Sequence, residues 1–179
     1  MTVQMPYGQV EGIEKPVSRL VLGTMIINTQ ELDKSFQLLD MAKELGCNTL
    51  DTAIVYAGGD SERAIGQWME ERGNREEMVI VSKGCHHNAD RQRVTPYDLT
   101  ADIHDSLARL RTDYIDMYML HRDNPEVPVG PIVERLNKHM QEGLINVAGA
   151  SNWTHERIQE ANDYAEMNGL KGFAASSPH

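Results

Sequence analysis

The chain has little of several features, and each shortage excludes a class of protein. It contains only two cysteines, Cys47 and Cys85, which are too few for a disulfide framework, so we expect reduced thiols and a cytoplasmic location. No apolar run approaches the roughly 20 residues needed to cross a bilayer. The N-terminal segment lacks the basic and then apolar pattern of a signal peptide. We therefore expect neither a membrane span nor secretion.

Basic residues are also scarce. Lys and Arg number 17 against 27 Asp and Glu, which gives a formal net charge of −10. A surface of that sign repels phosphate backbones and anionic lipids, so nucleic acids and membranes are not expected partners. With 179 residues the chain is long enough for one domain with a sizeable core, and we expect residues 1–179 to form it.

The chain does contain a regular alternation of two patterns. Short apolar stretches typical of strands alternate with stretches whose apolar residues recur every three or four positions, as in helices. Glycine ends four of the five predicted helices, and residues 3–13 could form a small hairpin before the first strand. This alternation is typical of a parallel sheet with crossover helices. The predicted strands are 18–22, 48–51, 78–82, 114–120, 145–150 and 173–176, and the helices include 61–71, 132–142 and 155–168.

Two closures compete for such a sheet, an open doubly wound sheet and a (β/α) barrel. The open sheet of dinucleotide-binding proteins favours a glycine-rich turn after the first strand, and the segment 23–26, GTMI, is not one. Residues two positions apart in a strand share one face of the sheet. On that face apolar residues precede a polar residue at the strand end, as Val79 and Val81 precede Lys83. A barrel that is packed inside and polar at its mouth has this pattern.

Polar side chains that could carry chemistry follow several of these strands. Asp51, Lys83 and His121 each end a strand, and Tyr56 lies in the loop after Asp51. A phenol becomes a usable acid when an ammonium stabilises its phenolate, and a buried ammonium needs a carboxylate to stay charged. We find no nucleophile and no metal-ligand set, because the adjacent pair His86-His87 would point apart on a strand. An acid without a nucleophile suits reduction of a carbonyl by hydride from a cofactor.

The motifs that contain these residues resemble the aldo-keto reductase family. They are LGTM at 22–25, NTLDTAIVYAGGDSERAIG at 48–66, VIVSKG at 79–84, YIDMYMLHRDNP at 114–125 and VAGASNW at 147–153. The resemblance implies a (β/α)₈ barrel of the TIM type with a nicotinamide cofactor, usually NADPH with NADH as the alternative, and a small-molecule carbonyl substrate. It implies that Tyr56 is the general acid, Lys83 and Asp51 tune it, and His121 orients the carbonyl. For the cofactor it implies Gly23, Thr24 and Met25 beside the nicotinamide riboside, with Asp51 near them, and Ser151 and Asn152 on the carboxamide.

The chain also departs from the family pattern. We predict six strands where the family has eight, so the barrel is incomplete at its C-terminal end and lacks the loops that grip the cofactor phosphates. Ser177 is nearest to the position where the family often has a glutamine. An unclosed sheet leaves two free edges, which favours self-association. The alternative to an active enzyme is an inactive barrel fragment or a cofactor-sensing regulatory subunit. Specificity residues are expected in the mouth loops, with His86, Asn88 and Trp153 as candidates.

Overall fold

The computed structural model of the protein describes residues 4–178. An antiparallel hairpin of β1 (Tyr7–Val10) and β2 (Ile13–Ser18) precedes a six-stranded sheet. The strands of that sheet are β3 (Leu22–Gly23), β4 (Thr49–Asp51), β5 (Val79–Gly84), β6 (Ile115–Leu120), β7 (Ile145–Ser151) and β8 (Ala175–Ser177). The helices that follow its first five strands are α1 (Leu32–Glu44), α2 (Asp60–Arg72), α3 (Pro96–Leu110), α4 (Val129–Gln141) and α5 (His155–Met167).

The order of the strands decides between the two closures. The six strands lie side by side in chain order from β3 to β8, and every neighbouring pair is parallel. A doubly wound sheet reverses its strand order at a switch point, and the described strands contain no such reversal. The open alternative is therefore wrong, and the incomplete (β/α)₈ barrel is confirmed as a curled half-barrel. Strands β3 and β8 are its two edges, and self-association through them stays a prediction.

The two faces of the sheet pack into two separate cores. The larger core lies between the sheet and the helices, and it includes Leu50, Ile80 and Leu120 of the strands. The smaller core lies on the inner face and is formed by Ile13, Val79, Met117, Met119 and Val147. The predicted alternation of faces is thus confirmed, since residues two positions apart share the inner face and lead up to the polar residues at the strand ends.

The N-terminal hairpin covers the inner core at the end of the sheet opposite to the strand ends that carry the polar residues. Ile13 contributes to that core, and a Cβ added to Gly12, whose φ is +90°, would lie 2.6 Å from Val147 Cγ1. Lys15 fixes the hairpin through a salt bridge to Asp116 and a hydrogen bond to the carbonyl oxygen of Met78, each at 2.6 Å. The hairpin therefore acts as the floor of the half-barrel, and the mouth lies at the carboxyl ends of the strands.

The hairpin and both edge strands differ from their predicted bounds. Residues 13–18 pair with β1, so the hairpin lies further along the chain than 3–13, and residue 3 lies outside the described residues. The predicted strand 18–22 joins the sheet only from Leu22, because Ser18 is the last residue of β2 in the hairpin and pairs there with Tyr7. Likewise β8 starts at Ala175 and not at Phe173, since the Phe173 amide donates to Asn162 Oδ1.

Helix boundaries follow local chemistry closely. Thr95 Oγ1 caps α3 by accepting from the Asp98 amide, and Pro96 takes the first helical position, both as predicted. Helix α4 starts at Val129, three residues before its predicted start, because Pro131 still falls in the first turn, where its missing N–H costs nothing. At the one helix end without glycine, that of α3, Arg111 takes the left-handed conformation with φ of +53°. The helices thus return the chain to the sheet by short turns.

Candidate active site

The side chains of Asp51, Lys83 and Tyr56 meet at the mouth of the half-barrel. Lys83 lies on the inner face of β5, and only 4% of its side chain is exposed. Its ammonium donates to Asp51 Oδ1, to the carbonyl oxygen of Thr52 at 2.9 Å and to the Tyr56 hydroxyl at 3.4 Å. All three donors of the ammonium therefore have an acceptor, and one of these acceptors is the phenol. This is the contact that acid chemistry at Tyr56 requires.

A tight turn after β4 brings Tyr56 back over the strand ends. A short 3₁₀ turn spans Tyr56–Gly59, and its residues Ala57, Gly58 and Gly59 have positive φ of 48°, 63° and 86°. The two glycines adopt this conformation without a side-chain clash. Tyr56 itself is half-buried, and the Lys83 ammonium lies 5.0 Å from the centre of its ring. The glycine pair therefore lets the chain turn from Tyr56 directly into α2, which begins at Asp60.

His121 completes the group from the end of β6. Its ring centre lies 6.0 Å from that of Tyr56, with the ring planes at 78°. Nδ1 of His121 is buried and has no hydrogen-bond partner among the described residues, whereas Nε2 is not enclosed in this way. A buried N–H without an acceptor loses the hydrogen bond that water would provide. The tautomer of the neutral ring with its proton on Nε2 is therefore more stable than the tautomer with its proton on Nδ1. An Nε2–H at the mouth can donate to the oxygen of a bound carbonyl compound.

We expect His121 to stay neutral across the pH range in which histidines usually titrate. Burial lowers its pKa from 6.5 to about 3, and the charges of Lys83, His86 and Arg122 act in the same direction. Below about pH 6.5 the unfolded chain binds a proton at this histidine, whereas the folded chain does not until about pH 3. The free energy of unfolding is therefore unaffected above about pH 6.5 and falls as the pH drops from there toward about 3. In ¹H–¹³C spectra the His121 shifts should stay constant between about pH 5 and pH 8, while the urea-unfolded chain titrates. A folded-state titration near pH 6.5 would contradict this placement.

The end of β7 holds the backbone beneath His121. Asn152, which has a left-handed φ of 60°, donates from Nδ2 to the His121 carbonyl oxygen and to Ser151 Oγ, both at 3.0 Å. Trp153 is 6% exposed, and its indole nitrogen donates to the Arg122 carbonyl oxygen at 3.0 Å. Trp153, predicted as a specificity residue, therefore stabilises the loop after β6 through this hydrogen bond. The predicted carboxamide residues Ser151 and Asn152 lie beside His121, on the strand next to it.

The turn after β3 lies on the other side of the same mouth. Thr24 is fully buried, and its hydroxyl donates to the Asp51 carbonyl oxygen at 3.1 Å and accepts from Ser61 Oγ at 3.0 Å. Its side chain is therefore engaged by the protein, while Gly23 and Met25 are exposed. Among the predicted cofactor residues, Gly23 and Met25 remain accessible from solvent, and Thr24 fixes the turn that carries them.

Two contacts of this site could not be found from the sequence. The first is the hydrogen bond from Lys83 to the carbonyl oxygen of Thr52, whose hydroxyl lies 3.2 Å from Ser61 Oγ. The second is the contact between the rings of His86 and His121, whose centres lie 5.0 Å apart. Asn88, predicted with His86 as a specificity residue, is exposed, and its Oδ1 accepts from the amides of residues 90 and 91. Within residues 4–178 no group of three or more His, Cys, Asp or Glu could hold a metal ion.

Comparisons with known proteins show the family of the chain and the origin of its fold. A family model described as the aldo/keto reductase family matches residues 19–175. The NADP(+) aryl-alcohol dehydrogenase of Phanerodontia chrysosporium is 33% identical over an alignment that covers 88% of this chain and 46% of that protein. A thermostable aldo-keto reductase solved with the inhibitor epalrestat superposes with a TM-score of 0.83 at 27% identity, covering 97% of this chain and 62% of that one.

A second solved structure extends the range of similar proteins. The glycerol dehydrogenase of Gluconobacter oxydans superposes with a TM-score of 0.80 at 25% identity, and the match covers 96% of this chain and 54% of that one. The chain spans about half the length of the curated relatives it matches. The similarity therefore covers nearly all of this chain but only part of each relative.

Proposed function

Because the chain belongs to the aldo/keto reductase family, we propose that the protein reduces an aldehyde or ketone to an alcohol, with NADPH as the cofactor. The observation that carries this proposal is the Lys83 ammonium, which is hydrogen-bonded to both Asp51 and Tyr56 at the open mouth of the half-barrel. The names of similar proteins include an aryl-alcohol and a glycerol dehydrogenase, so they support a carbonyl or alcohol substrate without defining its size.

Each of the four residues has a role that follows from its contacts. Tyr56 donates its proton to the oxygen of the substrate as the carbonyl carbon is reduced, and the Lys83 ammonium stabilises the phenolate that this leaves. Asp51 keeps the ammonium charged in a site where only 4% of the lysine side chain is exposed. Neutral His121 donates from Nε2 to the same substrate oxygen and fixes its position beside the phenol.

The chain has residues that could hold the nicotinamide end of the cofactor. NADPH would supply the hydride. Within the described residues Asn152 Oδ1 accepts no hydrogen bond, because both contacts of this side chain are made by Nδ2, so it is free to accept from a carboxamide. Ser151 lies next to it, and the exposed Gly23–Met25 turn with the nearby Asp51 lies across the mouth. These residues fit a nicotinamide and its ribose.

A second candidate function rests on the length of the chain. It spans 46% of its aryl-alcohol dehydrogenase relative, and its sheet has six strands where a complete barrel has eight. The alternative proposal is therefore an inactive barrel fragment or a cofactor-sensing regulatory subunit. We also propose a cytoplasmic location and self-association through the edges β3 and β8. No helix within residues 4–178 has the length and apolar character of a membrane-crossing helix.

Titration of the chain with NADPH tests the cofactor proposal directly. Trp153 follows Asn152, so bound nicotinamide should quench its fluorescence in a saturable manner. The second tryptophan, Trp68 of α2, is fully buried and donates from its indole nitrogen to Asp40 Oδ1, so its fluorescence should report little of the binding. Trp153→Phe should abolish the quenching signal, and Trp68→Phe should leave it. If calorimetry also detects no binding of NADPH to the chain, the inactive fragment is favoured over both the enzyme and the cofactor-sensing subunit.

A further inference from the structure

A chain of three imidazole rings runs from solvent to the phenol at the mouth. His87 is exposed, and its ring centre lies 4.3 Å from that of His86. His86 is half-buried and meets the buried ring of His121 edge-on at 5.0 Å, and His121 in turn meets Tyr56. Within the described residues, His121 is therefore in contact with two other rings, those of Tyr56 and His86. A substrate oxygen held by His121 beside Tyr56 would have His86 as its next neighbouring ring.

The protonation of the His86 ring is fixed on one side by the backbone. Nδ1 of His86 lies 2.9 Å from the carbonyl oxygen of His87, and a carbonyl oxygen can only accept. Nδ1 therefore carries a proton in either charge state of the ring. Within the described residues Nε2 makes no hydrogen bond, so it is the nitrogen that is left for a ligand. In the neutral ring Nε2 accepts, which is the opposite of the role of Nε2 in His121.

We propose that His86 is a specificity residue that binds a hydroxyl group on the carbon next to the carbonyl of the substrate. The inference rests on the proposed carbonyl reduction and adds the substrate class, α-hydroxy aldehydes and ketones. The centres of the two rings lie 5.0 Å apart, a separation short enough for one small substrate to reach both rings with its carbonyl oxygen and the neighbouring hydroxyl. A hydroxyl both donates and accepts, so it suits Nε2 of His86 in both charge states. A substrate without this hydroxyl leaves Nε2 without a partner once water is displaced.

The test compares two aldehydes that differ by one hydroxyl, 2-hydroxypropanal and propanal, in the NADPH-dependent assay. The chosen variant is His86→Phe, which keeps an aromatic ring against His121 and removes both nitrogens. We expect it to lower kcat/KM for 2-hydroxypropanal relative to propanal by about tenfold, as the loss of one hydrogen bond predicts. The matched control is His87→Phe, which changes the exposed neighbouring ring and should leave that ratio unchanged. Comparing ratios removes the difference in intrinsic reactivity between the two aldehydes.

The outcomes separate this inference from the proposed function. If wild-type protein reduces both aldehydes and His86→Phe lowers both rates equally or neither, His86 does not bind the hydroxyl and the inference is wrong. If wild-type protein reduces no aldehyde, the proposed function fails and the inference fails with it. A measurement without turnover tests the premise: long-range ¹H–¹⁵N spectra should show the proton of neutral His86 on Nδ1 and that of His121 on Nε2. A proton on Nε2 of neutral His86 would overturn the inference.

Discussion

Replacement of Tyr56 by phenylalanine is expected to lower the turnover of carbonyl reduction by about 10²- to 10⁴-fold, the range that a positioned general acid contributes. The substitution keeps the ring over which the Lys83 ammonium lies at 5.0 Å and removes only the hydroxyl to which that ammonium donates. Cofactor binding should change little, since no proposed cofactor contact involves this hydroxyl. Steady-state turnover with an aldehyde and NADPH, and NADPH titration of the same protein, provide the two measurements.

A matched control is available for this substitution. Tyr97 is 80% exposed at the start of α3, so Tyr97→Phe removes a phenol hydroxyl at the surface. We expect this variant to keep wild-type turnover. The assignment of Tyr56 as the acid is wrong if Tyr56→Phe reduces the aldehyde within a few-fold of the wild-type rate while it binds NADPH normally.

The second large effect concerns the partner of the buried ammonium. Asp51→Asn replaces the only carboxylate among residues 4–178 that contacts Lys83 with a neutral amide, while Thr52 and Tyr56 still offer neutral acceptors. We expect the free energy of unfolding to fall by about 2–3 kcal/mol, less than for a fully enclosed pair because 35% of the Asp51 side chain is exposed. Urea denaturation near neutral pH measures this in the chain itself and requires no activity.

The unequal burial of Lys83 and Asp51 provides the control, since their side chains are 4% and 35% exposed. In Lys83→Met the group left behind is the Asp51 carboxylate, which water can solvate, so this variant should be less destabilised than Asp51→Asn. The double variant should recover part of the stability lost in Asp51→Asn, because it no longer buries an unpaired charge. Equal losses in the two single variants, with no recovery in the double variant, would mean that the ammonium does not depend on Asp51.

Much of the fold could be predicted from the sequence because its signals are local. The alternation of Val79, Val81 and Lys83 has the period of a strand, and the structure places the two valines with the inner face and Lys83 at the mouth. The missing glycine-rich turn at 23–26 correctly disfavoured the doubly wound sheet. The six strands of the sheet and the five helices could be predicted for the same reason, since apolar residues recur with a characteristic period in each kind of element.

The parts that could not be predicted depend on contacts between distant segments. The amides of Lys171 and Phe173 donate to side-chain oxygens of Asn137 and Asn162, which delays the start of β8, and no local pattern indicates these bonds. Similarly, the hydroxyl of Thr24 bonds to Asp51 and Ser61 across the turn. The four residues Asp51, Tyr56, Lys83 and His121 could be named because each ends or follows a strand, whereas their functional roles stay predictions.

Transfer of deuterium from labelled NADPH tests the central proposal most directly. The protein would be incubated with an aldehyde and NADPH that carries deuterium at both positions of nicotinamide C4, and the alcohol would be analysed by mass spectrometry. We predict one deuterium on the carbinol carbon with wild-type protein, and about 10²- to 10⁴-fold less deuterated alcohol in the same time with Tyr56→Phe. If the wild-type protein, shown to bind NADPH, yields no deuterated alcohol from any aldehyde or ketone tried, the proposal that this site reduces carbonyls is contradicted.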